Sequence, residues 1–160
     1  MNETEFLTQV RLNQGIIYKL VGLYANDAEE KKDIYQEVLL NAWKGWPAFR
    51  EEAKFSTWLY RICLNTIFTL KRKKQHIDYT DSLEPLSPAV EHSGIQKEDL
   101  QRLQQAIRFL SETDRAIISM HLDGFENGEI AGVLGISNNN VAVKLHRCKV
   151  QLSNLLMQKL

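Results

Sequence analysis

Cysteine, proline and long apolar runs are all scarce in this chain of 160 residues. The two cysteines, Cys63 and Cys148, belong to no CxxC pair and have no His/Cys set at zinc spacing around them. That argues against a disulfide framework and a structural metal, and suits a reducing cytoplasm. No apolar run approaches the ~18 residues of a membrane span. The opening MNETEFLTQVRLNQ is polar and acidic, so it does not read as a secretory signal. The four histidines are scattered, and HExxH, G-x-S-x-G and glycine-rich phosphate loops are missing. No cofactor and no catalysis of its own are therefore expected. Net charge is also absent, with 20 basic residues against 20 acidic. Taken whole, that argues against nucleic acid as a partner.

What is present changes that last inference. Residues 1–76 carry 12 basic and 9 acidic side chains, residues 77–100 carry 1 and 6, and residues 101–160 carry 7 and 5. Neutrality is a cancellation between +3, −5 and +2. Residues 53–76 contain Lys54, Arg61, Lys71, Arg72, Lys73 and Lys74 and no acid, and residues 130–160 are also acid-free. Two basic segments flank an acidic middle.

Hydrophobic residues make up 44% of the chain, enough for a folded core. No stretch alternates as a strand would, whereas helical spacing recurs. Ile34, Val38, Leu39, Ala42, Trp43 and Trp46 make one stripe, ended by Pro47. Trp58, Leu59, Ile62, Cys63, Thr66, Ile67 and Leu70 make another, with Ser56 or Thr57 as N-cap. Residues 4–25 read as one helix, or two broken near Gly15. Leu100, Leu103, Ala106, Ile107 and Leu110 form a later stripe, continued by Ile117, Ile118, Met120 and Leu122. Two prolines, serines and acids in between read as a linker. The expectation is an all-α chain of two small helical domains, residues 1–76 and 99–160, joined by an acidic flexible linker over 77–98.

The clearest local pattern begins at Glu126. A short helix is expected from Asn127 to Leu134, with Glu129 reaching back to the helix start. Gly135 stands where a left-handed turn residue is needed, and Ser137 caps a second helix from Asn138. Ile130, Leu134, Ile136, Val141 and Leu145 would fill the interior. This is the grammar of a helix-turn-helix, whose second helix meets base edges with its N-terminal residues. Ser137, Asn138, Asn139, Asn140, Lys144 and Arg147 are its candidate DNA contacts. Asn can bond an adenine edge twice, and Lys or Arg can bond guanine or phosphate.

Two blocks of sequence carry a wider likeness. One is Asp33-Ile-Tyr-Gln-Glu-Val-Leu-Leu-Asn-Ala-Trp43 with Phe49, Phe55-Ser-Thr-Trp-Leu-Tyr-Arg-Ile62, Asn65 and the basic run. The other runs from Leu110 through Asp114-Arg115, Glu129-Ile-Ala and Leu134-Gly-Ile-Ser137 to Leu145-His-Arg147. In this order and spacing they resemble the second and fourth regions of bacterial RNA polymerase sigma factors, in the two-domain extracytoplasmic-function (ECF) group. The resemblance implies a promoter-specificity subunit in the cytoplasm. It implies that Asp33, Gln36, Glu37 and Asn41 dock on the β′ clamp helices of core polymerase, and that the β flap meets the second domain. It implies contact with the −10 element through Arg50, Lys54, Arg61, Asn65, Lys71 and Arg72, with one base flipped into a pocket. It implies that the helix-turn-helix binds the −35 element and that an anti-sigma partner exists.

The residues agree in kind. Holding a flipped base takes a short loop with hydrogen-bonding groups and nearby cations, as Pro47–Lys54 offers. Trp43 and Trp58 are expected in the core, and Trp46 and Phe49 are open to either role. Thr69, Leu64, Ala142, Val143 and Lys144 depart from the residues usual in such proteins, so the second helix has fewer charged base readers than usual. A stand-alone helix-turn-helix regulator would account for residues 110–150, but not for the basic helix at 53–76.

Overall fold

The computed structural model describes residues 2–77 and 97–158, and every regular element among them is helical. By contacts the chain separates into two compact units, Met1–Ser87 and Pro88–Leu160. The expected linker lies outside the described residues except at its edges, where one helix continues to Ile77 and the next starts at Lys97.

The N-terminal unit holds α1 (Glu3–Leu12), α2 (Gln14–Tyr24), α3 (Ala28–Gly45), a single 3₁₀ turn (Trp46–Ala48) and α4 (Phe55–Ile77). Asn2 caps α1 in a reciprocal box with Glu5. The chain breaks at Asn13, near Gly15 as expected. The Asn13 side chain donates back to the Gln9 carbonyl at 2.8 Å, competing with a continuous helix. Asp27 caps α3 by accepting from the Glu30 amide, so α3 starts six residues before Ile34, the first residue of the apolar stripe.

α4 packs against both α2 and α3. Its buried face is consequently wider than the sequence stripe. Leu59, Tyr60, Cys63, Leu64, Thr66 and Ile67 are buried, while Trp58, Ile62 and Leu70 are only half-buried. Tyr60 can go inside because Lys19 Nζ donates to its hydroxyl. The expected cap at Ser56 or Thr57 is not formed. Lys54 offers the first carbonyl, to the Trp58 amide at 3.1 Å, and the Thr57 hydroxyl is buried inside the first turn without a partner.

Trp43 departs from its expected core position, and the open question for Trp46 and Phe49 is answered. Trp43 is 45% exposed, whereas Trp46 and Phe49 are buried. Trp46 sits at the hub of a ring cluster with Phe6, Phe49, Phe55 and Trp58, at centroid distances of 5.5, 5.6, 6.1 and 6.4 Å. Gly45 makes this possible, because an added Cβ would sit 3.3 Å from the Trp58 ring.

The C-terminal unit holds α5 (Lys97–Arg108), α6 (Glu112–Leu122), α7 (Asn127–Leu134) and α8 (Asn138–Met157). α8 runs against α5, α6 and α7, burying Val141, Leu145, Cys148 and Leu152 at four- and three-residue steps. Ile117, Met120 and Ile130 face them from α6 and α7. Leu100 and Leu122, expected in the stripe, are exposed at helix ends, and Leu134 and Ile136 are half-buried. Burial holds the Cys63 thiol up at about 12. Burial, then the neighbouring Asp114, holds that of Cys148 at about 11, so neither is a reactive thiolate at neutral pH.

Gly135 has φ +71°, a conformation that costs an L-residue roughly 1–2 kcal/mol. Gly132 is exposed inside α7 with nothing within 4 Å of an added Cβ. Gly135→Ala is expected to destabilise the C-terminal unit and Gly132→Ala to stabilise it, by about 1 kcal/mol each, read as a lower and a higher urea midpoint. Midpoint shifts in the opposite order would contradict this account of the turn.

Candidate nucleic-acid interface

Each unit carries its own candidate surface, on α3 and α4 in the N-terminal unit and on α8 in the C-terminal unit. In the C-terminal unit, Glu129 Oε1 accepts from the Glu126 amide at 3.2 Å, the expected reach back to the start of α7. The Gly135 and Ile136 amides close onto the Ala131 carbonyl at 2.9 and 3.2 Å, completing a three-residue turn. Ser137 Oγ then accepts from the Asn140 amide at 3.0 Å and starts α8. Ser137 is therefore occupied as a cap. Asn138, Asn139, Asn140 and Arg147 are exposed, and Lys144 is half-buried at the flank. A 20-residue helix thus presents three amides at its N-terminal end and cations one and two turns further on.

In the N-terminal unit, the ring cluster clamps both ends of the loop between the 3₁₀ turn and α4. Phe49 enters the loop and Phe55 leaves it, edge to face at 5.8 Å. Arg50, Glu51, Glu52 and Lys54 between them are exposed. Glu51 is the one non-glycine among the described residues with positive φ, +57°. The backbone therefore turns sharply in the middle of a polar loop whose ends are fixed. Arg61, Asn65 and Arg72 follow on the exposed side of α4.

Asp33 and Gln36 are exposed on α3, and Glu37 and Asn41 are half-buried. Asn41 Nδ2 donates to the buried Thr66 hydroxyl at 2.9 Å, tying α3 to α4. A cleft of about 240 Å³ opens beside this bond, lined by Glu37, Asn41, Asn65, Thr66, Thr69 and Lys73 among others. The structure thereby brings Asn65, assigned to DNA, into one cleft with Glu37 and Asn41, assigned to polymerase. The sequence pattern does not single out Leu40 and puts Trp43 in the core, yet each is 45% exposed and they continue the Gln36 side of α3. Their three-residue spacing, offset from the buried Val38 and Ala42, is the signal that could have found them.

A second cleft, of about 280 Å³, lies towards the start of α3, lined by Asp27, Glu29, Glu30, Asp33, Lys71 and Lys74. Lys71, one of the residues expected to meet DNA, lies here. Its ammonium is largely buried and sits 2.7 Å from Glu30 Oε1, with Lys74 on the other carboxylate oxygen at 2.5 Å. Lys71 is thus turned inward to an acid 41 residues away in sequence. Burial pushes the Glu30 carboxyl up. The hydrogen bonds and charges of Lys71 and Lys74 outweigh that and hold it below its ordinary value.

Among the described residues no group of three His, Cys, Asp or Glu side chains could hold a metal ion. Nor is any helix long and apolar enough to cross a membrane. A capped helix-turn-helix with an outward amide and cation row defines a DNA-binding protein. Comparison with known sequences places it more closely. Residues 9–77 match Sigma-70 region 2 and residues 100–152 match Sigma-70, region 4. The ECF RNA polymerase sigma factor SigM of Mycobacterium tuberculosis is 29% identical over 142 residues, 88% of this chain and 71% of that protein. SigW of Bacillus subtilis is 29% identical over 161 residues, 91% of this chain and 86% of that protein. The chain belongs to the sigma-70 family of RNA polymerase sigma factors, in its ECF group. In fold it is similar to the sigma factor RpoE of Bartonella quintana, solved with the anti-sigma factor NepR. The TM-score is 0.81 at 20% identity, covering 98% of this chain and 99% of that one. CnrH, solved with the cytosolic domain of CnrY, gives a TM-score of 0.71 at 22% identity, covering 99% and 92%.

Because folding lowers the Glu30 pKa, its ion pairs stabilise the N-terminal unit above the unfolded value of 4.5. That stabilisation is lost as the pH falls through the folded value. Glu30→Gln is expected to lower the urea midpoint at neutral pH and to flatten its fall in acid. A variant whose acid limb is as steep as wild type's would overturn this role for the carboxylate.

Proposed function

We propose that this sigma factor is a promoter-specificity subunit that joins core RNA polymerase, reads a −10 element with residues 1–76 and a −35 element with residues 99–160, and so directs where transcription starts. The bond-making is the polymerase's. The observation that carries the reading is the pairing of two exposed polar and cationic helix faces, on α4 and α8, with region 2 and region 4 matches in that order. Arg50 and Lys54 in the loop and Arg61, Asn65 and Arg72 on α4 are the DNA contacts, and Lys71 is left out because Glu30 holds it. The fixed-ended loop at 50–54 suits capture of one unstacked base, since a held loop loses little conformational entropy on binding. On α8, Asn138, Asn139, Asn140, Lys144 and Arg147 face the −35 duplex, with Ser137 as the cap that sets their register.

Asp33, Gln36, Glu37 and Asn41 on α3 dock the β′ clamp helices. Leu40 and Trp43 support this, because exposed apolar side chains rimmed by acids suit a protein partner better than DNA. The β flap meets the C-terminal unit. An anti-sigma partner is proposed because RpoE and CnrH, which share the fold, were each solved with a protein partner. Core polymerase as partner places the chain in the cytoplasm.

Run-off transcription with core polymerase on a promoter pool tests the reading, and promoter-selective transcripts only when the chain is added are the expected result. Equal transcripts without it would refute the proposal. Arg61→Ala with Asn65→Ala should abolish promoter opening, followed by permanganate reactivity, while co-purification with core is kept. Gln36→Ala with Glu37→Ala should weaken that co-purification at least tenfold, and undiminished recovery would move the docking face off α3.

A further inference from the structure

α8 exposes three apolar side chains, Val143, Val150 and Met157, and Val143 is the one that lies among the outward polar residues of its N-terminal half. Val143 is 52% exposed, although its neighbours Val141 and Leu145 are buried. A β-branched residue on an open helix face lowers helix propensity and leaves apolar area in water. Its position is specific. Asn139 lies four residues before it and Arg147 four after, and both are exposed. Side chains at four-residue steps form one row along a helix. Val143 therefore sits between an amide and a guanidinium on the face that would enter the major groove. Ala142 beside it is also exposed and ends at Cβ, so nothing on that flank holds Val143 away from a surface.

We propose that Val143 reads a thymine methyl group in the −35 element, between an adenine edge met by Asn139 and a guanine or phosphate met by Arg147. This rests on the reading above that α8 enters the major groove. The thymine C5-methyl is the only apolar group that the four bases present there. Against it, valine removes two apolar surfaces from water. Against the cytosine N4 or adenine N6 amino group, valine covers a donor without accepting from it, at the cost of an unmade hydrogen bond. Specificity at this position comes from one attractive and one repulsive term, with no charge involved. The −35 element is then expected to hold a thymine next to the position that Asn139 reads.

The test uses the full chain loaded on core polymerase, with a duplex pool randomised over the −35 positions. Each thymine in the selected duplex is replaced in turn by deoxyuridine, which lacks only the methyl. At one thymine the replacement should weaken binding about fourfold, the worth of one buried methyl-sized group. Val143→Ala, at an exposed position, should bind the thymine and deoxyuridine duplexes equally. A wild-type protein indifferent to deoxyuridine everywhere, or a selected element without thymine, overturns the proposal. Equal losses in wild type and Val143→Ala also overturn it. A pool that enriches no sequence over these positions would overturn the helix-turn-helix reading as well. That separates failure of the groove assignment from failure of the methyl contact.

Discussion

One long helix in each unit has to be core and surface at once, and the other features are arranged around that requirement. Each unit spans under 90 residues, too few to give packing and recognition to separate elements. α4 buries Leu59, Tyr60, Cys63, Leu64, Thr66 and Ile67, and the same helix carries Arg61, Asn65 and Arg72 outward. α8 buries Val141, Leu145, Cys148 and Leu152 and carries Asn139, Val143 and Arg147 on its other side. The buried row fixes the rotation of the helix about its axis. Direction and height of every outward side chain follow. Residues on the outer row can therefore change with little effect on stability, while a shift of the inner row by one position would turn the recognition face away.

The N-terminal unit adds a second constraint, the ring cluster around Trp46. It joins α1 through Phe6, the end of α3, the loop and the first turn of α4. A loop with both ends held in packed aromatics can keep polar residues in place without hydrogen bonds of its own to the core. The Asn41–Thr66 bond and the Glu30 ion pairs tie α3 to α4 at two further levels. The clefts between these ties leave Glu37 and Asn65 on a common wall, so contacts made by α3 and by α4 are spatially coupled.

Electrostatics follows the same division. The formal charge of zero conceals basic ends and an acidic middle. Glu30 cancels part of the basic run of α4 internally, so the count of lysines overstates the charge turned outward. Affinity for a polyanion depends on the cations that reach phosphates, not on those neutralised inside the fold.

The sequence by itself determined the features whose causes are local. Glu126 with Glu129, Gly135, and Ser137 with Asn140 act over three or four residues. The helix-turn-helix, its bounds and its outward amides were legible for that reason. The all-helical character was legible too, because amphipathic spacing persists over each segment. Only the tertiary structure decided which of two plausible stripes is buried. Trp43 and Trp46 are both compatible with a helical stripe. Trp46 goes inside because Phe49, Phe55 and Trp58 return to it from beyond the turn. Tyr60 and Leu64 join the core because α2 and α3 cover α4 from two sides. Lys71 faces inward because Glu30, far away along the chain, arrives beside it. Local caps and turns are written in neighbouring residues. Burial of a given side chain is set by what the rest of the chain brings against it, and no periodicity encodes that.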